Sequence, residues 1–190
     1  MRQELVRTAF ALADGALRAG DVLDVGCGTG WWLKCLHERG IPPGRLNGVD
    51  VLDARVRAAA ARVPGATIRR GDARSLPFED DRFTAVTLFV VLSSLEDDDA
   101  VADTLREAER VTRADGSILV WDVRIPNPLN AATRRVSSRA VQALLGAPTA
   151  TVTLTLVPPL ARRLGPNGYA RLAAIPILRS HRLSVHRGSA

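Results

Sequence analysis

Three glycines at alternate positions, Gly26, Gly28 and Gly30, follow a short apolar stretch and precede a helical pattern. Glycine at such positions lets the backbone take positive φ and lets a ligand approach the main chain closely. The helix predicted from Trp31 onward directs its free N–H groups at whatever occupies the turn. The stretch therefore predicts a loop that holds a nucleotide-type cofactor, while a tight strand-to-helix turn without a ligand is the alternative.

Two acids stand beside this loop in the predicted elements. Asp50 ends the second predicted strand, about twenty residues after the glycines, where an acid can accept hydrogen bonds from both ribose hydroxyls of an adenosine. The alternative for Asp50 is a helix N-cap, because a helical pattern begins close behind it. Asp53 is placed to cap that helix, which leaves Asp50 for the ribose. Asp24, two residues before Gly26, is the second acid.

The glycine spacing, Gly-x-Gly-x-Gly, is one residue tighter than the Gly-x-Gly-x-x-Gly of dinucleotide enzymes. With Asp24 ahead of it, the stretch resembles motif I of the class I S-adenosylmethionine-dependent methyltransferases, of the small bacterial type. Gly71-Asp72-Ala73, followed by Leu76-Pro77-Phe78 and Phe83, is similar to a second pattern of that family. The resemblance implies S-adenosylmethionine as the cofactor, with its adenine held by the Asp72 carboxylate and the Ala73 amide.

The resemblance also implies a wider set of cofactor contacts at the carboxyl ends of the first strands. The residues that it places around the cofactor are Asp24, Gly26, Cys27, Gly28, Gly30, Trp31, Asp50, Val51, Asp72, Ala73 and Phe89. Either Trp31 or Trp32 is expected to shield the cofactor, and Cys27 is interpreted as a small loop residue rather than a nucleophile. The acidic run 97–99 is interpreted as a helix cap, and no metal site is predicted.

Apolar runs separated by breakers predict alternating strands and helices. The resemblance implies how they are arranged: an α/β fold with a seven-stranded, mostly parallel sheet, helices on both faces, and the last strand antiparallel beside the sixth. Helices are expected over about 3–17 and 131–145, and strands over 22–25, 45–50, 66–70, 84–92, 117–123, 151–157 and 181–186. A single methyltransferase domain is expected over 1–190, with an N-terminal helix in 1–19, a cofactor-binding part in 20–123 and an acceptor-side part in 124–190.

The reacting methyl group is expected near the ends of the fourth and fifth strands. Asp122, at the end of the fifth strand, and His181, at the start of the last, are the candidates for a base, which is needed only if the acceptor loses a proton early. The structural alternatives are a turn cap or an ion pair with Arg124 for Asp122, and a strand-end surface position for His181. Arg124, in the loop 124–130, is predicted to pair with an anionic or hydroxyl-rich acceptor.

Charge is spread unevenly, with 26 Lys and Arg against 20 Asp and Glu, a net charge of +6. Residues 123–190 contain ten arginines and no acid, which predicts a positive surface. Such a surface favours an anionic or sugar-containing small acceptor, with nucleic acid, for which no specific site is expected, as the rival partner.

The cellular compartment is predicted from membrane-spanning and signal-peptide patterns and from the cysteines. No apolar run has the length of a transmembrane helix, and the N-terminus does not have the pattern of a signal peptide. The two cysteines, Cys27 and Cys35, are interpreted as free thiols, which are typical of a reducing cytoplasm. A cytoplasmic protein is therefore predicted, and a homodimer is left open.

The predicted function is methylation of an oxygen or nitrogen of a small molecule. Segments 156–163 and 175–181 resemble a bacterial subgroup of methyltransferases associated with glycan or secondary-metabolite biosynthesis. The alternatives are a non-catalytic protein that binds S-adenosylmethionine, an RNA methyltransferase and a nicotinamide-dependent oxidoreductase. The tight glycine spacing disfavours the oxidoreductase, and Tyr169 has no lysine partner in a Tyr-x-x-x-Lys pair.

Overall fold

A computed structural model describes residues 2–125, 134–156 and 179–189. The helices are α1 (Arg2–Ala19), α2 (Trp31–His37), α3 (Asp53–Arg62), α4 (Asp98–Arg110) and α5 (Ser138–Leu145). The strands are β1 (Val22–Val25), β2 (Leu46–Asp50), β3 (Thr67–Arg70), β4 (Phe83–Phe89), β5 (Thr112–Val123), β6 (Ala150–Leu156) and β7 (Arg179–Arg187). In the described part of the chain, no helix has both the length and the apolar character needed to cross a membrane.

The seven strands form one sheet in the order β3-β2-β1-β4-β5-β7-β6. The pairs β1–β2, β2–β3, β1–β4 and β4–β5 are parallel, and β7 is antiparallel to both β5 and β6. The predicted fold class is therefore confirmed, including the last strand inserted antiparallel. The carboxyl ends of β1, β2 and β4 lie at one edge of the sheet, where the loops of an open α/β fold bind their ligands.

Two apolar cores fill the two faces of the sheet. The first face packs against α1, α2 and α3, with Leu5, Leu17, Trp32 and Leu36 fully or almost fully buried. The second face packs against α4 and α5, through side chains such as Leu105. The continuous apolar run of β4 is explained by this arrangement, since a central strand covered on both sides buries the side chains of residues 83–88.

Side chains at the ends of β5 and β7 alternate between these faces. Trp121 and its cross-strand partner Leu183 belong to the first core. Asp122 and its partner Arg182, one position along each strand, therefore project from the second face, toward α5. This alternation separates residues that are adjacent in sequence into different cavities.

Two predicted details are wrong in the described part. The helix predicted over 131–145 begins only at Ser138, because the amides of Arg134 and Val136 instead donate to the carbonyls of Ser93 and Val123. Asp53 does not cap α3: it lies inside the first turn, and its carboxylate is 3.4 Å from Arg70. The acceptor loop beyond Ile125, residues 131–133 and Tyr169 lie outside the described residues.

Candidate functional site

The glycine loop between β1 and α2 has the backbone conformation that its sequence predicts. Gly26, Gly28 and Gly30 have φ values of 64°, 54° and 75°. A Cβ at Gly26 would lie 2.6 Å from a methyl group of Val91, whereas a Cβ at Gly28 would meet no protein atom within 4 Å. Gly26 is therefore required by the fold, and Gly28 borders open space that a ligand can approach.

Asp50 connects this loop to the end of β2. Its side chain is buried, and its two carboxylate oxygens accept hydrogen bonds from the amides of Gly28 and Leu52, each at 3.0 Å. Arg55 adds an ion pair at 3.7 Å. Asp50 thus holds the loop in shape and, through its remaining lone pairs, can still accept from ribose hydroxyls.

Asp24 is the second buried carboxylate of the site. The Thr87 hydroxyl donates to it at 2.8 Å. Burial, partly offset by this hydrogen bond and reinforced by the charge of Asp50, raises the pKa of Asp24 to about 7. A cationic ligand group beside a carboxylate with such a raised pKa would restore its charged form.

Asp72 stands at the rim of the same site. Its carboxylate accepts from the backbone amide of Arg74 at 2.9 Å and from the Arg74 guanidinium at 2.8–3.1 Å. These hydrogen bonds lower the pKa of Asp72 and fix its orientation. Arg74 also pairs with Glu96 at 2.9 Å. Motif comparison did not single out Arg74, although an acid and an arginine two residues apart in a turn are a recognisable signal.

Asp50, Asp72 and Ala73 line a cavity of about 360 Å³, called here the cofactor cavity. Its remaining wall comes from the segments that follow β3 and β4: Gly71, Arg74, Val90, Val91, Ser94, Leu95, Glu96 and Ala100, with Gly26, Val49, Val51 and Arg55. Val51 is 58% exposed at its mouth. The cavity has the polar, acid-lined character that suits the hydroxyl and amino groups of a nucleoside.

A second cavity of about 320 Å³ adjoins it and is called here the aromatic cavity. It is lined by Asp24, Gly26, Cys27, Trp31, Trp32, Phe89, Val90, Trp121 and His181. Gly26 and Val90 line both cavities, which therefore lie side by side. Val90 has a φ of 60°, which is strained for a β-branched residue and is typical of a site where function fixes the backbone.

Ring contacts hold the aromatic cavity in shape. Trp32 lies 4.9 Å from Phe89, and Phe89 meets Trp121 edge-on at 6.0 Å. His181 stacks on Trp121 with ring centroids 4.9 Å apart, and the Ser180 hydroxyl lies 2.8 Å from its Nδ1. Burial lowers the pKa of His181, so its ring is neutral at pH 7. Burial raises the pKa of the Cys27 thiol, which agrees with an unreactive loop residue.

Asp122 and Arg124 do not lie where the sequence prediction puts them. Both line a third cavity, between α5 and the second face of the sheet. The Asp122 carboxylate accepts from the amides of Ser93, at 3.1 Å, and Val123, at 2.7 Å, so it stabilises the short 3-10 helix Leu92–Ser94. Alternation along β5 explains this position, because it directs Asp122 away from the face that carries Trp121.

The other predicted residues converge. Asp24, Gly26, Cys27, Trp31, Asp50, Val51, Asp72, Ala73, Phe89 and His181 all line the cofactor cavity or the aromatic cavity. Gly28 and Gly30 shape the loop between them. Their cofactor contacts remain predictions, but elements far apart in sequence bring them to one place.

Comparison with known proteins agrees with this geometry. A family model described as a methyltransferase domain matches residues 22–116. The demethylmenaquinone methyltransferase of Roseiflexus castenholzii is 34% identical over 122 residues, which are 63% of this chain and 50% of that protein. The chain thus spans about half the length of this curated relative.

Solved structures share the fold over nearly the whole chain. A putative methyltransferase from Bacillus halodurans superposes with a TM-score of 0.70 at 16% identity, covering 97% of this chain and 99% of the other. The geranyl diphosphate C-methyltransferase of Streptomyces coelicolor, solved with S-adenosyl-L-homocysteine, gives 0.66 at 15% identity, covering 89% and 71%. At this identity the likeness is one of fold.

Proposed function

The chain belongs to the family of methyltransferase domains, whose cofactor is S-adenosylmethionine, and we propose that it transfers the methyl group of this cofactor to a small-molecule acceptor. The observation that carries the proposal is the pair of joined cavities. One is lined by the glycine loop and the carboxylates of Asp50 and Asp72, and the other is walled by aromatic rings. A two-part ligand can therefore place its nucleoside in the first and its reactive end beside the second.

The residues present fit the cofactor. Asp50 would accept from the ribose hydroxyls, and Asp72 with the Ala73 amide would hold the adenine. Asp24, buried beside the glycine loop, would pair with the ammonium group of the cofactor's amino-acid end and be charged by that pairing. When bound, S-adenosylmethionine supplies an activated methyl group on a sulfonium. The chain's contribution is alignment and exclusion of water, which account for much of the acceleration of such a displacement.

The aromatic cavity favours an acceptor with a flat, largely apolar ring. Trp31, Phe89 and Trp121 offer faces and edges against which such a ring can stack. The name of the Roseiflexus relative refers to demethylmenaquinone, a quinone, which is consistent with an acceptor of this shape. We keep the prediction that a biosynthetic small molecule is methylated on oxygen or nitrogen. A sugar or anionic acceptor is less well supported, because Arg124 lies in a different cavity.

His181 is the proposed proton acceptor for a hydroxyl or amino group. It lines the aromatic cavity, is stacked on Trp121, and is neutral because burial lowers its pKa. A neutral imidazole within the acceptor's cavity can take the proton that a hydroxyl loses as it attacks. Asp122 is not assigned this role, since its carboxylate lines the cavity on the other face of the sheet and not the aromatic cavity.

Calorimetry with three ligands tests the cofactor assignment. S-adenosylmethionine and S-adenosylhomocysteine should bind, and NAD should not. Incubation with methyl-labelled cofactor and a panel of phenols, hydroxyquinones, demethylmenaquinone analogues, aromatic amines and sugars then tests the acceptor. Label should appear in a ring compound.

Two outcomes would contradict the proposal. Binding of NAD without the adenosyl ligands would exclude the methyltransferase function. Transfer of label to sugars alone, or to added RNA, would leave the cofactor assignment intact and overturn the acceptor class.

A further inference from the structure

The cavity that contains Asp122 and Arg124 is as large as the cofactor cavity, at about 350 Å³, and is called here the arginine cavity. It lies between α5 and the second face of β5, β7 and β6. Its polar wall includes Arg124, Arg182, Ser138, Gln142, Ser184 and His186. The proposed methyl transfer uses none of these side chains, so the cavity requires its own explanation.

Two arginines that line this cavity have no counterion among the described residues. Neither Arg124 nor Arg182 makes an ion pair within 4.0 Å of a carboxylate among the described residues, whereas Arg74 and Arg110 each have two such partners. The Arg124 Nε is also buried with no hydrogen-bond acceptor in the described part of the chain. A buried guanidinium N–H without an acceptor costs free energy, and a ligand oxygen is the partner that relieves the cost.

The other ionisable groups in the described wall of the cavity make no ion pair with these arginines. Asp122 is the acid among the described lining residues; its carboxylate accepts from the backbone amides of Ser93 and Val123 and lies within 4.0 Å of neither guanidinium. His186 Nδ1 lies 3.1 Å from the Gly146 carbonyl and its Nε2 lies 3.0 Å from the Ser184 hydroxyl. Because a carbonyl can only accept, Nδ1 carries the proton, and a neutral His186 is satisfied by these two bonds.

Electrostatics along β7 agree with an excess of positive charge. Burial, together with the charges of Arg124 and Arg135, lowers the pKa of Arg182. The first turn of α5 adds backbone donors at the same place, since Ser138 lines the cavity and Ser137, the N-cap, makes no side-chain capping bond. Two guanidinium groups and a helix N-terminus thus converge on one space.

We infer that the arginine cavity is a binding site for the phosphate or carboxylate group of a second small anionic ligand, held by Arg124, Arg182 and the first turn of α5. The ligand is distinct from the methyl acceptor, because Arg182 projects from the face of the sheet opposite to Trp121 and His181. Its occupancy neutralises the arginine pair and attaches α5 to the ends of β5 and β7.

Titration with inorganic pyrophosphate and with citrate, of protein already saturated with S-adenosylhomocysteine, tests the inference directly. Saturation removes any contribution of the glycine loop to anion binding. At least one of the two anions should bind, and Arg124→Ala and Arg182→Ala should each weaken it about tenfold or more. Arg182→Lys should have an intermediate affinity, because it keeps the charge and loses the bidentate geometry. Arg62→Ala, which removes an exposed arginine of α3, should bind like the wild type.

Thermal unfolding separates this role from a structural one. Without anion, Arg182→Ala should unfold at the wild-type temperature or above it, because an unpaired charge has been removed. The anion should raise the midpoint of the wild type and not that of Arg182→Ala. Absence of binding to both anions at millimolar concentration would overturn the inference. The inference would also be overturned if the anion did not bind to protein saturated with S-adenosylhomocysteine, or if Arg62→Ala weakened anion binding as much as the variants of the cavity do. A lower unfolding midpoint of anion-free Arg182→Ala than of the wild type would overturn it as well.

Discussion

The cofactor cavity and the arginine cavity have nearly equal volumes, about 360 and 350 Å³, and opposite electrostatic character. The cofactor cavity is walled by Asp50, Asp72 and Glu96, and the arginine cavity by Arg124 and Arg182. The carboxylates of Asp50 and Asp72 are satisfied by backbone amides and arginines, while the two arginines of the other cavity have no carboxylate partner in the described part. The two sites therefore differ in whether their charged side chains have partners, and not in size.

The difference shows how one sheet can provide two kinds of site. Acids at the ends of parallel strands can be oriented by the amides of the loops that follow, so the cofactor cavity is largely preformed. Guanidinium groups have no such backbone partner unless a carbonyl is near, and they remain dependent on a ligand.

The strongest effect on the rate is expected from His181, the proposed proton acceptor on the first face of the sheet. With an acceptor identified by the panel, His181→Gln should lower kcat about 100-fold or more, because the transferred proton loses its acceptor. At saturating cofactor, the wild-type rate should rise with pH through the lowered pKa of His181 and level off above it. The His181→Gln variant should lack this rise at acidic pH, which is called here the acid limb.

Two controls interpret that result. His181→Phe keeps the stack on Trp121 without a base, so full recovery of kcat would show that stacking alone matters. Asp122→Asn should keep the acid limb, since Asp122 faces α5. If Asp122→Asn lost the pH-dependent rise in rate, the base would lie on the second face of the sheet and the assignment of His181 would be wrong.

The second effect is on cofactor affinity through Asp50. Asp50→Ala leaves the amides of Gly28 and Leu52 without acceptors and removes the predicted ribose partner. Binding of S-adenosylhomocysteine should weaken by about 1–3 kcal/mol, measured by calorimetry. Asp50→Asn should lose less, because it keeps one oxygen acceptor.

Asp53→Ala is the matched control for Asp50, since it removes an exposed acid only three residues away. Its cofactor affinity should be that of the wild type, and pyrophosphate binding should be unaffected in Asp50→Ala. An Asp50→Ala protein that is folded and binds the cofactor normally would limit Asp50 to holding the loop.

Two glycine substitutions separate the needs of the fold from those of the ligand. Both Gly26→Ala and Gly28→Ala place a side chain in the left-handed region, at a cost of roughly 1–2 kcal/mol in unfolding free energy. Gly26→Ala should lose more stability, because its Cβ would lie 2.6 Å from Val91. Gly28→Ala should instead show the greater loss of cofactor affinity, since its Cβ enters open space.

Denaturant unfolding and calorimetry on both variants give the comparison. If Gly28→Ala binds the cofactor as well as the wild type does, the open space beside Gly28 is not part of the ligand's site.

The smallest effect is a pH dependence of cofactor binding. With its pKa near 7, Asp24 must lose a proton to pair with the cationic end of the cofactor. Affinity should therefore fall by about fivefold between pH 7 and pH 6, as the free protein becomes protonated. Asp24→Asn should bind more weakly and without this dependence. A wild-type affinity that is flat over this range would mean that Asp24 does not meet a cationic group.

Much of the site could be predicted from the sequence because its determinants are local. The conformation of Gly26, Gly28 and Gly30 is fixed by residue type and by the strand and helix on either side. Asp50 and Asp72 each end or follow a strand, so parallel pairing alone brings them to the same edge. His181 at the aromatic cavity was predictable for the same reason, since β7 begins at that edge.

The acceptor side could not be predicted as well, because it depends on which face a side chain takes. Asp122 and Arg124 were assigned to the methyl group by their position at the end of β5, and no local pattern showed that Asp122 projects toward α5. The start of α5 was also misplaced, because the amides of Arg134 and Val136 bond to distant carbonyls that no window of sequence contains.

The succession of strands and helices along the chain, the glycine loop and the acids beside it were predictable from the residues, since these features follow from φ preferences, apolar periodicity and turn chemistry over a few residues. That Trp121 and His181 form one cavity while Asp122, Arg124 and Arg182 line another is visible only in the folded arrangement. The physical reason is the two-residue period of a strand: neighbours in sequence lie on opposite faces, and the helices packed on each face determine what surrounds them.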